Sequence, residues 1–147
     1  MKNVKEVEVS LAYFERHPVF IIANILLSIG LFLLIKINVF KEDVMEVNPF
    51  SFFLFVPFLF VGFQTLWIIL NPFAIMYKDK IEFKNHLLSN KVFHLVDIKD
   101  VSFAKNGSLK IIYHDEDIET VSLLGIKSTH RNKLVNEIKN QIKLINV

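Results

Sequence analysis

The side chains that could hold a metal ion or transfer protons are scattered along this chain. Its five histidines include no pair four residues apart and are His17, His86, His94, His114 and His130. His94 and His114 fall on predicted strands and could meet across a sheet, but a metal site needs three or four converging ligands. The chain contains no cysteine, which excludes disulfides, thiolate ligands and thiol nucleophiles. The sequence therefore predicts neither a metal nor any other cofactor.

Other motifs of ligand-binding and catalytic chemistry are missing from the sequence or have a simpler interpretation. Asp115, Glu116 and Asp117 are consecutive acids, but they lack the longer array of oxygen ligands and the final bidentate Glu of a calcium loop. A solvated turn is the better interpretation of these three residues. The chain has no Gly-rich phosphate loop, nucleophile elbow or His-Glu-x-x-His motif. We therefore expect a protein that is not an enzyme.

Two long stretches without a charged residue, 18–35 and 47–77, dominate the first half of the chain. Because a helix rises about 1.5 Å per residue, each stretch can cross a hydrocarbon core of roughly 30 Å. The first stretch begins after Glu6, Glu8 and Glu15, which differs from the basic start of a cleaved signal peptide. The sequence predicts a transmembrane hairpin at 17–72, with helices at about 18–40 and 49–71.

The distribution of charge predicts the orientation of the hairpin. The loop at 41–46 has one lysine against three acids, whereas residues 73–147 have more Lys and Arg than Asp and Glu. Cytoplasmic segments carry the excess of basic residues. We therefore expect an integral protein of a bacterial inner membrane, with the amino-terminal segment 1–16 and the domain at 73–147 both cytoplasmic.

Three lysines that closely follow the second stretch, Lys78, Lys80 and Lys84, are candidates for contact with the membrane surface. Each such charge can add about 1 kcal/mol of attraction to an anionic leaflet. A simple topology signal is an equally good interpretation of them. The modest positive charge of the domain alternates with acids, so nucleic acid is not an expected partner.

Polar and small residues inside the apolar stretches predict contacts between the two helices. Asn24 and Ser28 lie on one face of the first helix, and Gln64 follows Gly62 in the second. Antiparallel packing would place Asn24 and Gln64 at similar depth, where a hydrogen bond between them is worth about 0.6–2 kcal/mol. A substrate path is the alternative, but two helices enclose a pore only if the chain forms a homo-oligomer.

After Pro72 the apolar residues alternate with polar ones, which predicts six strands at 74–77, 80–84, 91–96, 101–104, 109–114 and 118–123. Asn106-Gly107 predicts a type I′ hairpin turn between two of them. The alternating residues at 4–11 predict a further strand, with a frayed or interfacial segment as the alternative.

Ser128 predicts the N-cap of a last helix at 129–145, whose apolar residues form a single stripe. The stripe indicates that this helix packs on the sheet and closes it. The fold class is therefore α+β, a helical hairpin joined to a small antiparallel β domain with a carboxy-terminal helix.

The segments at 93–101, 107–113, 118–124 and 131–134 carry a further pattern. In it an Asp-Ile-Lys-x-Val step is followed by a Gly-x-Leu-x-Ile-x-Tyr strand, a second strand and a helix. This pattern resembles the small membrane-bound bacterial proteins with pleckstrin-homology-like domains, among them the YcxB-like group. The resemblance implies a pleckstrin-homology-like domain and an adaptor or sensory function, with no catalytic residues.

Two functions of different classes follow as hypotheses. The first is a non-enzymatic scaffold or regulator whose cytoplasmic domain contacts an unidentified protein partner or lipid headgroups. The second is an immunity protein against a membrane-active toxin or bacteriocin, with the outer loop at 41–48 or the hairpin itself as the contact surface. A small transporter built by oligomerisation is a weaker third hypothesis, because neither stretch has a charged residue at its centre.

Overall fold

The computed structural model of the protein describes residues 9–39 and 50–146. The chain divides into two compact units. One is a helical unit at Pro18–Asn71, and the other is a β unit formed by the chain on both sides of it. The helical unit is thus an insertion into the β unit.

The helical unit consists of α1 (Pro18–Val39) and α2 (Phe50–Leu70). Proline fits the first position of α1 because its missing N–H has no partner there in any helix. Both helices are long and apolar enough to cross a membrane, and few of the side chains in either span are buried. They contact each other through side chains that include the rings of Phe32 and Phe58, whose centres are 6.1 Å apart.

The first sheet of the β unit is antiparallel and has four strands in the order β1-β2-β3-β4. Its members are β1 (Ala12–Phe14), β2 (Ala74–Met76), β3 (Lys80–His86) and β4 (Ser89–His94).

Strand β1 supplies the part of this sheet that precedes the helical unit. The sequence predicts a strand at 4–11, of which residues 4–8 lie outside the described part. The observed strand begins at Ala12, with Phe14 opposite Ala74, and the N–H of Leu11 donates to the carbonyl of Met76. Pairing with β2 decides the position of β1. The alternation of apolar and polar residues in the amino-terminal segment does not reveal this pairing.

The second sheet is also antiparallel and has the order β5-β6-β7. Its strands are β5 (Ile98–Phe103), β6 (Leu109–Tyr113) and β7 (Ile118–Val121). A single turn of 3-10 helix, Leu95–Asp97, replaces the end of the strand predicted at 91–96. Its first N–H donates to the carbonyl of Asp79 at 2.8 Å, and the side chain of Leu95 is fully buried.

The hairpin turn between β5 and β6 is present, but its geometry differs from the type I′ expectation. Gly107 has a φ of 76°, whereas Asn106 is not in the left-handed region. The N–H of Gly107 donates to Ala104, and the N–H of Ala104 donates to Ser108. A three-residue loop that ends in one left-handed glycine therefore joins the strands, and glycine suits it because it lacks a Cβ.

The last helix, α3 (Ser128–Ile145), packs against β5 and the 3-10 turn. Its buried stripe is Leu134, Val135, Ile138 and Ile142. The predicted N-cap at Ser128 is wrong by one residue, since the backbone leaves the helix at Lys127 and no side chain caps it. The core of the β unit includes the stripe together with buried residues of both sheets, the 3-10 turn and the adjoining loops, namely Phe14, Phe73, Ala74, Met76, Ile81, Phe83, Phe93, Leu95, Ile98, Val101, Leu109, Ile111, Val121, Leu123 and Ile126.

Candidate functional site

Arg16, two residues before α1, is a buried charge. Its Nη1 donates to the carbonyl of Asn85 at 3.3 Å, and its Nη2 donates to the carbonyl of Lys84. The guanidinium carbon lies 5.9 Å from the centre of the Phe73 ring, within range of a cation–π contact. Burial lowers the pKa of Arg16 from its ordinary value. Arg16 thus ties the chain before α1 to the end of β3.

Backbone hydrogen bonds from the loop before α3 also hold the segment at 15–17. The N–H of His17 donates to the carbonyl of Gly125 at 2.8 Å, and the N–H of Lys127 donates to the carbonyl of Glu15 at 3.2 Å. The N–H of Glu15 in turn donates to Nδ1 of His130 at 3.3 Å. Hydrogen bonds therefore hold the chain in the β unit as far as His17, the last residue before α1.

These contacts lie at one end of the β unit, which we call the exit end. It comprises residues 15–17, 72–73, 84–89 and 124–127. Both connections to the helical unit leave from it, since the N–H of Phe73 donates to Phe14 and the N–H of Lys84 donates to Phe73. The sequence gives no sign of this grouping, because an arginine before an apolar stretch has the pattern of a topology signal.

The structure does not bring the three predicted membrane-surface lysines together. Lys78 lies in the turn after β2, and Lys80 in β3 is 3.5 Å from a carboxylate oxygen of Glu82. The Nζ of Lys80 also lies 5.1 Å from the centre of the Tyr77 ring. Lys84 is four residues further along β3, about 13 Å from Lys80 at the rise of a strand. Of the three, Lys84 alone belongs to the exit end.

Polar contacts between α1 and α2 involve a residue that the sequence did not single out. The hydroxyls of Ser28 and Thr65 are 3.0 Å apart. Thr65 also donates to the carbonyl of Val61 at 2.7 Å. The side-chain amide of Asn24 donates to the carbonyl of Phe20 at 2.8 Å on its own helix. A threonine inside an apolar helix often bonds its own backbone, so its identity alone did not indicate an interhelical role.

The other two predicted packing residues differ in their surroundings. Gln64 is buried, and its hydrogen bond to Asn24 stays a prediction. A Cβ placed on Gly62 meets no atom within 4 Å. Gly62 lines an open apolar groove together with Phe58 and Phe63. No close approach of the helices therefore depends on this glycine.

A second polar cluster links the two sheets of the β unit. The Tyr113 hydroxyl donates to Oε2 of Glu119 at 3.2 Å, and Lys91 on β4 forms an ion pair with Oε1 of the same carboxylate. Burial, then the charge and hydrogen bond of Glu119, and then Asp97 and Asp115 raise the pKa of Tyr113 to about 12. Tyr113 is therefore a hydrogen-bond donor over the whole neutral range.

An open cleft of about 380 Å³ lies beside this cluster and is lined by Val96, Asp97, Tyr113, His114 and Asp115. The N–H of Asp117 donates to Oδ1 of Asp115 at 3.2 Å, and Glu116 has a φ of 71°. These features are those of a tight acidic turn. Within residues 9–39 and 50–146, no group of three or more His, Asp or Glu side chains could hold a metal ion.

The fold and these contacts define an α+β protein with two antiparallel sheets, a carboxy-terminal helix and two helices long and apolar enough to cross a membrane. Comparison with known proteins gives no match to a family model, to a curated protein or to a solved structure.

Proposed function

We propose that the chain is an integral protein of a bacterial cytoplasmic membrane, with α1 and α2 as a transmembrane hairpin and the β unit as a non-enzymatic binding module. The exposure of large apolar side chains around both helices carries the proposal. A helix that is apolar on all faces is stable only when it is buried in protein or lipid. A lipid bilayer provides such an environment. A helix is stable there because all of its backbone hydrogen bonds are made within the helix.

The two connections to the hairpin favour partners that are themselves at the membrane. Three residues separate β1 from α1, and three separate α2 from β2. At the maximum length of an extended chain, three residues span at most about 11 Å. A β unit joined to a transmembrane hairpin by two connections of this length stays close to the membrane surface. Lipid headgroups and membrane-associated proteins are therefore the proposed partners.

The arrangement of strands supports a pleckstrin-homology-like domain as the identity of the β unit. A four-stranded and a three-stranded antiparallel sheet are followed by one carboxy-terminal helix. This order agrees with what the resemblance in the sequence implies. The corresponding proposal is a scaffold or regulator whose cytoplasmic domain recognises a partner without transforming it.

Cysteine labelling tests the topology, because the chain has no cysteine of its own. Lys41→Cys places a thiol in the segment between α1 and α2, which lies outside the described residues, and Lys105→Cys places one in the exposed turn after β5. In spheroplasts, a membrane-impermeant maleimide should label position 41 at once and position 105 only after lysis. The reverse order would contradict a cytoplasmic β unit, and recovery of the chain in the soluble fraction would contradict the membrane assignment.

Photocrosslinking in intact cells then tests the kind of partner. A photoreactive residue is placed at Lys78, at Asp115 and in turn along 41–48, with Leu27 in α1 as the control that should give lipid adducts. A protein adduct at Lys78 or Asp115 would support the binding module and identify its partner. An adduct confined to 41–48, with an exported peptide, would favour the immunity hypothesis instead.

A further inference from the structure

Two loop tips at the exit end present leucines to the surroundings. Leu88, in the turn between β3 and β4, is 82% exposed, and Leu124, in the loop between β7 and α3, is 69% exposed. Nearby apolar side chains such as Phe73 and Ile126 are buried. The folded β unit therefore leaves two large apolar side chains uncovered at the end from which the chain leaves for the helices.

Leu124 directly precedes a residue that is bonded to the chain before α1. The carbonyl of the next residue, Gly125, accepts the hydrogen bond from the N–H of His17 at 2.8 Å. His17 directly precedes Pro18, the first residue of α1. The loop tip is thus held near His17, the last residue of the β unit before α1.

Leu88 reaches the same end through β3. This strand pairs with β2 at Phe83 opposite Ala74 and then continues past the start of β2. Arg16 binds the carbonyls of the continuation at Lys84 and Asn85. The turn that carries Leu88 therefore extends beyond the point where the chain arrives from α2.

Lysines belong to the same end. Lys84 is half-buried and Lys127 is exposed, whereas Arg16 is buried and bonded to backbone carbonyls. The one carboxylate of the exit end, Glu15, lies 3.3 Å from the Nζ of Lys127. Exposed leucines at an end that also carries lysines match a bilayer surface, in which acyl chains lie beneath anionic headgroups.

We infer that Leu88 and Leu124 insert into the leaflet from which the β unit emerges, so that this unit docks on the bilayer through two apolar loop tips. The inference rests on the proposed function, because a spanning hairpin is what brings the exit end to a lipid surface. Its partner is the lipid surface itself, with no protein required. Docking of this kind would fix the orientation of the β unit and leave its far end, with the cleft beside Tyr113, turned to the cytosol.

A matched control exists on α3. Leu144 is 70% exposed, as Leu124 is, but it lies sixteen residues after Ser128, where α3 begins beside the exit end. At the rise of an α-helix this separation is about 24 Å. Leu144 should therefore remain in water when Leu88 and Leu124 are in lipid.

Site-directed spin labelling of the full chain tests the inference. The single variants Leu88→Cys, Leu124→Cys, Leu144→Cys and Leu27→Cys are labelled with a nitroxide and reconstituted into liposomes of phosphatidylethanolamine and phosphatidylglycerol. Collision of the label with oxygen and with a water-soluble nickel chelate is then measured. Positions 88 and 124 should favour oxygen, as position 27 in α1 does, and position 144 should favour nickel.

Each outcome has a separate meaning. If position 27 favours oxygen while positions 88 and 124 resemble position 144, the hairpin spans and the docking inference is overturned. If position 27 favours nickel, the proposed function itself fails. Oxygen preference at positions 88, 124 and 144 would overturn docking through one end. Spin–spin broadening between copies labelled at position 88 would also overturn lipid docking, because it would show that a second copy of the chain covers Leu88.

Discussion

Replacement of Arg16 should destabilise the β unit far more than the loss of an exposed charge would. Arg16 is 8% exposed and donates to two backbone carbonyls. Hydrogen bonds from charged groups are worth about 1.5–3 kcal/mol each, but one of these is long at 3.3 Å. We therefore expect Arg16→Leu to lower the free energy of unfolding by about 2–4 kcal/mol. Arg16→Lys keeps the charge but loses the planar fork, and about half of that loss is expected.

Hydrogen exchange of the full chain in detergent micelles measures this effect where it should occur. The amides of Phe73 and Lys84 donate within the exit end, and a loss of 2–4 kcal/mol corresponds to exchange about 30 to 700 times faster. Lys127→Gln is the control, because it removes an exposed ion pair with Glu15 at the same end and should change stability by at most about 0.5 kcal/mol. Unchanged exchange in both Arg16 variants would refute the argument that Arg16 holds this end together.

Three further predictions concern other parts of the molecule. Ser28→Ala and Thr65→Val should show a coupling of about 0.6 kcal/mol in a double-mutant cycle of unfolding in detergent, and strictly additive effects would exclude a direct hydrogen bond. Because the pKa of Tyr113 is raised to about 12, its phenol stays protonated in the fold and ionises on unfolding, so stability falls as the pH rises from about 10 to 12. Tyr113→Phe should remove that part of the fall in urea unfolding across this range, and an unaltered slope would disprove the assignment. Gly107→Ala should cost about 1 kcal/mol because Gly107 has a φ of 76°, and a variant with wild-type melting temperature would contradict this conformation.

The elements with a strong local pattern could be predicted well from the sequence. Each of the two apolar helices follows from a long stretch without charge, and α3 follows from a stripe at three- and four-residue spacing. The bounds of the strands were less accurate, because a strand ends where its partner ends. Strand β5 begins at Ile98 instead of residue 101, since it pairs with Tyr113 across the sheet.

The candidate functional residues were less predictable than the fold. Lys78, Lys80 and Lys84 are close in sequence, yet the turn after β2 and the length of β3 separate them. Arg16 and Thr65 carry contacts that no local pattern marks. Their partners, at Lys84 and Ser28, are distant in the chain.

By itself, the sequence determined the classes of the elements, the apolar character of the two long helices and the difference in charge between the segments at 41–46 and 73–147. These properties depend on the residue types within a few turns or a single strand, so they can be read locally. The tertiary structure alone decided that β1 joins β2 across the helical insertion and that Arg16, Gly125 and the end of β3 meet at one end. Such groupings depend on strand register and on hydrogen bonds between distant residues, which are settled only when the whole β unit packs.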